Sequence, residues 1–412
     1  MEALTLNDLL DGVTPAADGQ EYKTPVAMAV PRPMYVVRYG HKDITSDITP
    51  YVTGVTYTDY LSGQSDELSL ELEDTDGRWL DAWYPDKGDT LSVDIGYDTA
   101  PLLPCGSFEI DEPEFSFPAS VVTIKALATG IKKSVRTRVG RAYENTTLAA
   151  IAQRIAKRNK LTLVGKIRDV RIDRVTQYQE RDVEFLTRLG REFGYAFKIA
   201  GNKLVFTEMA DLRETEATIT IERTDCTSIQ LRDKLKEVYQ EAKVKYQNPK
   251  TKKLVVYGAK DGEVQVVGST PVDGKASRRQ VSADTLKMTA RSGSKATAQV
   301  KAQAALDTAN MEQTAGSISL PGDQRLVAGI TINLVGFGRM SGKYLVGQAR
   351  HQINRSGGYS TTLDIKRVEL PVSLGGNGGG TAAKKSSKGL AVYGMKDGQV
   401  AVVGTSQVSK KK

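Results

Sequence analysis

The sequence predicts a mainly β fold interrupted by an α+β insert, and three patterns carry that prediction. Over 34 to 129 and again over 316 to 369, apolar residues alternate with polar ones, the period of a strand with one buried face. Between them, 141 to 215 switches to spacings of three and four, the period of an amphipathic helix. Turn-forming residues separate several of the alternating runs at a spacing that suits antiparallel barrels or sandwiches.

Residues 1 to 33 read as an arm. Leu4, Leu6, Leu9 and Leu10 open it and Pro31-Arg32-Pro33 closes it, where proline cannot donate to a helix or a ladder. Six strands follow in 34 to 130, centred on Tyr35-Val37, Val55-Tyr57, Leu68-Leu72, Leu91-Ile95, Phe108-Ile110 and Val121-Ile124. Asp74-Thr75-Asp76-Gly77 and Pro85-Asp86-Lys87-Gly88 supply turns between them.

The insert, 131 to 215, is the most legible stretch. Asn145-Thr146-Thr147 caps a helix bearing Leu148, Ile151, Ala152 and Ile155, and Leu161-Val164 follows as a short strand. Asp182 is read as the cap of a second helix, accepting backbone N–H bonds, with Val183, Phe185, Leu186, Leu189 and Phe193 on its apolar stripe. Gly194 ends that helix in the left-handed turn that costs glycine least. Tyr195, Phe197 and Ile199 then alternate up to a Gly201-Asn202 turn, and Leu204 and Phe206 return. Structurally, these apolar residues are one small core.

The Leu-x-x-Ile-x-x-x-Ile-Ala helix and the Gln-x-x-Glu-x-Asp-x-x-Phe-Leu-x-Arg-Leu helix, followed by the aromatic hairpin, resemble the late control protein D family of contractile phage tails and pyocins. That family is similar to the hub part of type VI secretion spike proteins. The matching residues are Gln177, Glu180, Asp182, Phe185, Leu186, Arg188 and Leu189, a structural signature and not a catalytic set. The resemblance implies tail-tube-like antiparallel β-barrels with a helix-helix-hairpin insertion. It also implies a homotrimeric baseplate hub in which two barrels per chain give six units about the axis, matching a hexameric tail tube and a trimeric central spike. The implied partners are further copies of the chain, the tail tube protein, the central spike protein, other baseplate proteins and the tape measure protein. The implied location is the particle's tail baseplate, after assembly in the host cytoplasm.

Residues 216 to 370 return to strands: Ala217-Ile221, Val238-Tyr246, then a meander of Ser317-Leu320, Ile330-Val335, Tyr344-Ala349 and Ser360-Ile365. Ser294 to Met311 is an alanine-rich helix whose small side chains let it lie close to a partner. Leu320-Pro321-Gly322-Asp323, Gly336-Phe337-Gly338 and Gly342-Lys343-Tyr344 extend the resemblance over most of 34 to 370. Gly336-x-Gly338-x-x-x-Gly342 is no dinucleotide fingerprint, because strands flank it on both sides. Tyr344 stands where a phosphate-binding loop needs Ser or Thr, so nucleotide binding is not expected.

Leu254 to Gly268 recurs as Leu390 to Gly404 with eleven of fifteen positions identical. Each copy reads as two short strands about a Lys-Asp-Gly turn, the second reached through the flexible Gly375-Gly-Asn-Gly-Gly-Gly380 stretch of the 371 to 412 tail. A lone hairpin is marginal in water, so each copy is expected to add to something larger. The candidate contact residues are Tyr257, Asp261 and Gly262, and their counterparts Tyr393, Asp397 and Gly398.

Composition bounds the rest. The chain of 412 residues is long enough for several cores. No apolar run approaches the roughly 18 residues of a spanning helix and no signal peptide opens the chain, so no membrane association is expected. The net charge of +8 is spread along the chain apart from 132 to 141 and the last three lysines, so no specific nucleic acid is expected. Two cysteines, Cys105 and Cys226, and two histidines, His41 and His351, give one chain no metal cage, although three copies could share one. No cofactor or metal is expected, and the chain is expected not to be an enzyme. Two rivals remain: a cell-wall hydrolase using Glu109, Asp111, Glu112 or Glu114, whose alternation instead places acids on a polar face, and a peptidoglycan-binding module, because the 146 to 163 helix and strand are similar to a LysM-like piece.

Overall fold

The computed structural model describes residues 30–128, 137–234, 239, 241–247, 254–258, 271–272, 275–276, 285–289, 295–368, 390–396 and 399–406. The arm up to residue 29, the basic 132–136, the glycine stretch 375–380 and Asp261, Gly262, Asp397 and Gly398 lie outside them. The chain divides into two units, Met1–Pro371 and Val372–Lys412.

The first strands are β1 (Pro33–Tyr39), β2 (Lys42–Asp43), β3 (Val52–Tyr60), β4 (Glu67–Glu73), β5 (Thr90–Tyr97), β6 (Leu103–Ser116) and β7 (Val121–Ala128), with the short helix α1 (Thr45–Ile48) after β2. They pair antiparallel in the order β3-β4-β7-β6-β5-β1-β2. Alternate residues of six strands, among them Val37, Leu70, Val93, Phe108 and Ile124, meet in a single buried core. A sheet whose successive strands all contribute to one core must curl around its own inner face, and its period-two pattern is what makes that face continuous. All six expected strands are present, β6 much longer than its apolar centre implied.

The insert comprises β8 (Val139–Thr147), α2 (Leu148–Arg158), β9 (Thr162–Val164), β10 (Arg171–Glu180), α3 (Asp182–Phe193), β11 (Tyr195–Ala200), β12 (Lys203–Glu208) and α4 (Met209–Glu214). Thr147 caps α2 by accepting the Ala150 N–H at 3.2 Å. Gly194 sits at φ 78°, as the end of α3 requires. Gly190 lets α3 lie on the hairpin: a Cβ there would stand 2.9 Å from the Tyr195 carbonyl oxygen. Phe185, Leu186, Leu189, Phe193, Phe197 and Phe206 form a second core with Leu148, Ile151 and Ile155.

The chain continues through β13 (Ile219–Glu222), β14 (Ser228–Asp233), β15 (Glu241–Gln247), β16 (Leu254–Gly258), β17 (Pro271–Val272), β18 (Lys275–Ala276), β19 (Thr285–Thr289), α5 (Lys295–Met311), β20 (Thr314–Pro321), β21 (Thr331–Val335), β22 (Gly342–Asn354) and β23 (Gly358–Arg367). The expected meander is a correction. β20 pairs with β23, not β21, so the order is β14-β20-β23-β22, with β21 between β22 and β13. Alternation fixes which face of a strand is buried but says nothing of its neighbour.

The long strand β22 joins the two β regions. Its first half pairs with β21 and its second half with β3, the change falling at an irregularity between Val346 and Gln348. Tyr344, Val346 and Ala349 enter the core shared by Ile318, Ile332 and Leu363, while Ile353 enters the first core with Tyr359 of β23. One hydrogen-bonded sheet therefore runs through both regions. Separately, β15 is the centre of a small sheet, antiparallel to β16 and parallel to β19, and packs on α5 through Ala242, Val244, Ala298, Ala302 and Leu306. In the second unit, β24 (Leu390–Lys396) and β25 (Gln399–Ser406) form an antiparallel hairpin.

Candidate functional site

The signature residues converge on the junction of β10, α2 and α3, where they hold one another. Asp182 does not cap its helix: it is the first helical residue, Arg181 precedes it as cap, and its carboxylate is 2% exposed and held by side chains. Arg158 donates to it at 2.5 and 3.2 Å, Asn159 at 2.9 Å and Gln177 at 2.8 Å. Burial pushes its carboxyl up, but these donors and the Arg158 charge outweigh burial and hold it below the usual range. Arg158 and Asn159 end α2, so the carboxylate ties two helices to a strand.

Arg188 makes a second tie. It forks onto Glu180 with two bonds of 2.9 Å, reaches the Thr176 carbonyl at 3.1 Å, and bonds Glu192 at 3.1 Å, which in turn meets Lys301 of α5 at 2.7 Å. Phe185, Leu186 and Leu189 lie beneath in the core. Gln177, Glu180, Asp182 and Arg188 thus tie the elements of the insert to one another.

A third cluster, unread in the sequence, seats the insert on the first β region. Lys198 of β11 projects between Asp59 of β3 and Asp66, pairing with Asp66 at 2.8 Å and with Asp59. Asp59 also accepts the Ala328 N–H at 2.8 Å and Asp66 the Tyr60 N–H at 3.0 Å. Burial, with Asp59 close by, lifts the Asp66 carboxyl to about 6 against the lowering pull of Lys198. Ser62 accepts the Phe197 N–H at 2.9 Å beside it. Only a polar residue facing inward from the aromatic hairpin could have signalled this seat.

Of the four candidate acids for hydrolysis, Glu109 is half-buried on β6. Asp111, Glu112 and Glu114 are exposed on β6, and Lys125 of the neighbouring strand pairs with Glu114 at 2.6 Å and Glu112 at 3.9 Å. His351 is not free to join a shared metal: it is fully buried, with Nε2 2.8 Å from the Leu326 carbonyl oxygen and Nδ1 2.8 Å from the Tyr359 hydroxyl. Its Nε2–H donates to the carbonyl and its Nδ1 accepts from tyrosine, the neutral form that burial favours. Burial also raises the thiols of Cys105 and Cys226, away from the reactive thiolate. Gly336 to Gly342 is the connection between β21 and β22. Among the described residues no group of His, Cys, Asp or Glu has a metal-binding arrangement, and no helix is long and apolar enough to cross a membrane.

The first β region exposes several large apolar side chains. Trp79 and Trp83 stack edge-on at 5.3 Å, Arg78 lies 4.6 and 4.8 Å over the Tyr51 and Trp83 rings, and Leu80, Trp83, Tyr84, Phe115 and Phe117 are exposed. Tyr257 and Tyr393 occupy matching places in β16 and β24.

Comparison with known proteins gives a consistent result. A model of the family described as phage tail baseplate hub (GPD) matches residues 119–357. The chain is 31% identical over 176 residues to a probable baseplate hub protein of Escherichia phage 186 and 33% identical over 176 residues to that of Escherichia phage P2. These stretches are 42% of this chain and span 44% and 45% of the relatives, less than half of either. In fold it is similar to the 43 kDa tail protein of prophage MuSo2 from Shewanella oneidensis, at TM-score 0.58 and 14% identity, covering 81% of this chain and 98% of that one. A tail protein from Neisseria meningitidis MC58 matches at TM-score 0.58 and 12% identity, covering 81% and 96%.

Proposed function

The chain belongs to the phage tail baseplate hub family, and on that premise we propose that it acts as a homotrimeric hub joining a hexameric tail tube to a trimeric central spike in a contractile tail or related injection machine. The family places the chain in the tail baseplate. The observation that carries the finer reading is β22: one strand pairs with β3 in the first β region and with β21 in the second, so two strand sets share one hydrogen-bonded sheet. Three such chains present six strand sets about a threefold axis, which lets sixfold and threefold neighbours meet.

On this reading 34–130 and 216–370 supply the two tube-like parts, 131–215 the insert that braces them, and 1–33 and 371–412 the arm and tail. Tube protein, central spike protein, other baseplate proteins and the tape measure protein are the partners, and the work is structural, with no catalysis. The exposed side chains around Trp83, with Tyr84 and Arg78, are of the kinds that interfaces cover, which are rich in Trp, Tyr and Arg. Mass measurement of the purified chain, followed by co-purification with its tube and spike proteins, tests the proposal. A threefold mass and capture of both supports it; a monomer at assembly concentration that captures neither ends it.

A further inference from the structure

The duplicated segment is seen in two different pairings. Among the described residues, Leu254–Gly258 of the first copy is the outer strand β16 on β15, in the register Leu254 opposite Gln247, Val256 opposite Lys245 and Tyr257 opposite Val244. In its second copy the matching strand β24 pairs with β25, Leu390 opposite Ser406 and Lys396 opposite Gln399. Leu254–Gly258 and Leu390–Gly394 differ at one position alone, Val255 against Ala391. Among the described residues β24 pairs with β25 only, so its other edge offers a row of unmatched backbone groups.

We propose that the tail strand Leu390–Gly394 is an exchangeable copy of Leu254–Gly258 and pairs with β15 of a second copy of this chain, replacing the edge strand there. The backbone bonds made in the exchanged state repeat those broken, and four of five side chains are the same, so exchange between chains replaces like with like. The hairpin gains in return, because β25 rides along on the outer edge and two strands become part of a four-stranded sheet over α5. The α5 face of β15, with Ala242 and Val244, is unchanged by the exchange, so the acceptor is already built. The inference rests on the homo-oligomeric part of the proposed function.

The test uses two full-length chains of different tag size, both carrying Cys226→Ser. One carries Lys245→Cys, the other Val392→Cys, which the register sets opposite one another; they are mixed, assembled and oxidised. The expected result is a disulfide-linked heterodimer, at least fivefold more abundant than with Ala391→Cys, which the register sets opposite Tyr246 and one position away from Lys245. A single chain with Lys245→Cys and Val256→Cys, the pair seen directly, verifies that the position oxidises. Equal yields from Val392→Cys and Ala391→Cys mean random collision and overturn the proposal, as does no heterodimer when the control closes. Mass measured on the same samples separates the two readings. A trimer without the register-specific link removes the exchange and leaves the hub, whereas a monomer removes both.

Discussion

Asp182 and Asp66 are both nearly closed off from water, at 2% and 6% exposure, yet their carboxyls sit on opposite sides of the ordinary range. Asp182 has an arginine and two amides to itself, so burial is outweighed. Asp66 shares one ammonium with Asp59, so burial and the neighbouring carboxylate prevail. The first site lies inside the insert and the second at its seat on the β3–β4 connection. A carboxylate given an excess of donors stays ionised and bonded until the pH falls below the ordinary aspartate range, whereas two carboxylates around one cation make a contact whose strength changes with protonation near pH 6.

The largest effect should come from breaking the core that the Asp182 joint closes. Phe185 is fully buried, stacked on Tyr143 at 5.5 Å with Arg188 above its ring at 5.2 Å. Phe185→Ala should cost about 3–5 kcal/mol, since an aromatic-sized void cannot close in so packed a site. Hydrogen exchange of the α3 amides in urea measures it. A cost below about 1 kcal/mol would mean that the insert is not held by this core.

Lys198→Met attacks the second site by leaving Asp59 and Asp66 facing one another without a cation, and should cost about 3 kcal/mol near neutral pH. The loss should appear as faster exchange in β11 and in the β3–β4 connection, with α2 and α3 protected as before. If α3 opens equally, the two sites are one cooperative structure and the contrast between them fails.

Asp182→Asn should cost about 2 kcal/mol at pH 7, because the amide turns an N–H₂ toward Arg158, Asn159 and Gln177, all of them donors. For wild type the contribution of Asp182 is fully present above the ordinary aspartate range and is lost as pH falls through its lowered value. The variant should therefore lose the acid-side decline in stability that wild type shows below about pH 4.

How far each site could be read from sequence follows from the reach of its contacts. The stripe of α3 and its glycine stop are local, set by side chains three and four apart, and they stand where the pattern put them. Asp182 was misread as a cap because the capping rule sees only the next three residues, whereas Arg158 and Asn159 lie more than twenty residues upstream. Strand β10 was missed because Arg171–Glu180 shows little apolar alternation; Ile172 and Gln177 are its two fully inward residues. The β20–β23 pairing was missed because period two names a face and not a partner. Lys198 looked like any solvent-facing residue of a hairpin, since what makes it inward is the β3–β4 connection far upstream in the chain.

Asp66→Asn makes the same chemical change as Asp182→Asn and should have the opposite sign. The carboxyl of Asp66 binds its proton more readily in the folded chain than unfolded, at about 6 against an ordinary 3.8. Between those values the folded state holds the extra proton, so stability falls as pH rises through the window and is lowest, for this group, above pH 6. Wild type should thus strengthen the seat of the insert on going from pH 7 to pH 5. The amide removes the charge that burial and Asp59 disfavour, keeps an oxygen to accept the Tyr60 N–H, and leaves Lys198 matched one to one with Asp59. A gain on the order of 1 kcal/mol at pH 7, shrinking toward zero by pH 5, is expected in β11 exchange. Destabilisation at pH 7 would show that Lys198 needs both carboxylates ionised, and the two sites would then be alike in kind.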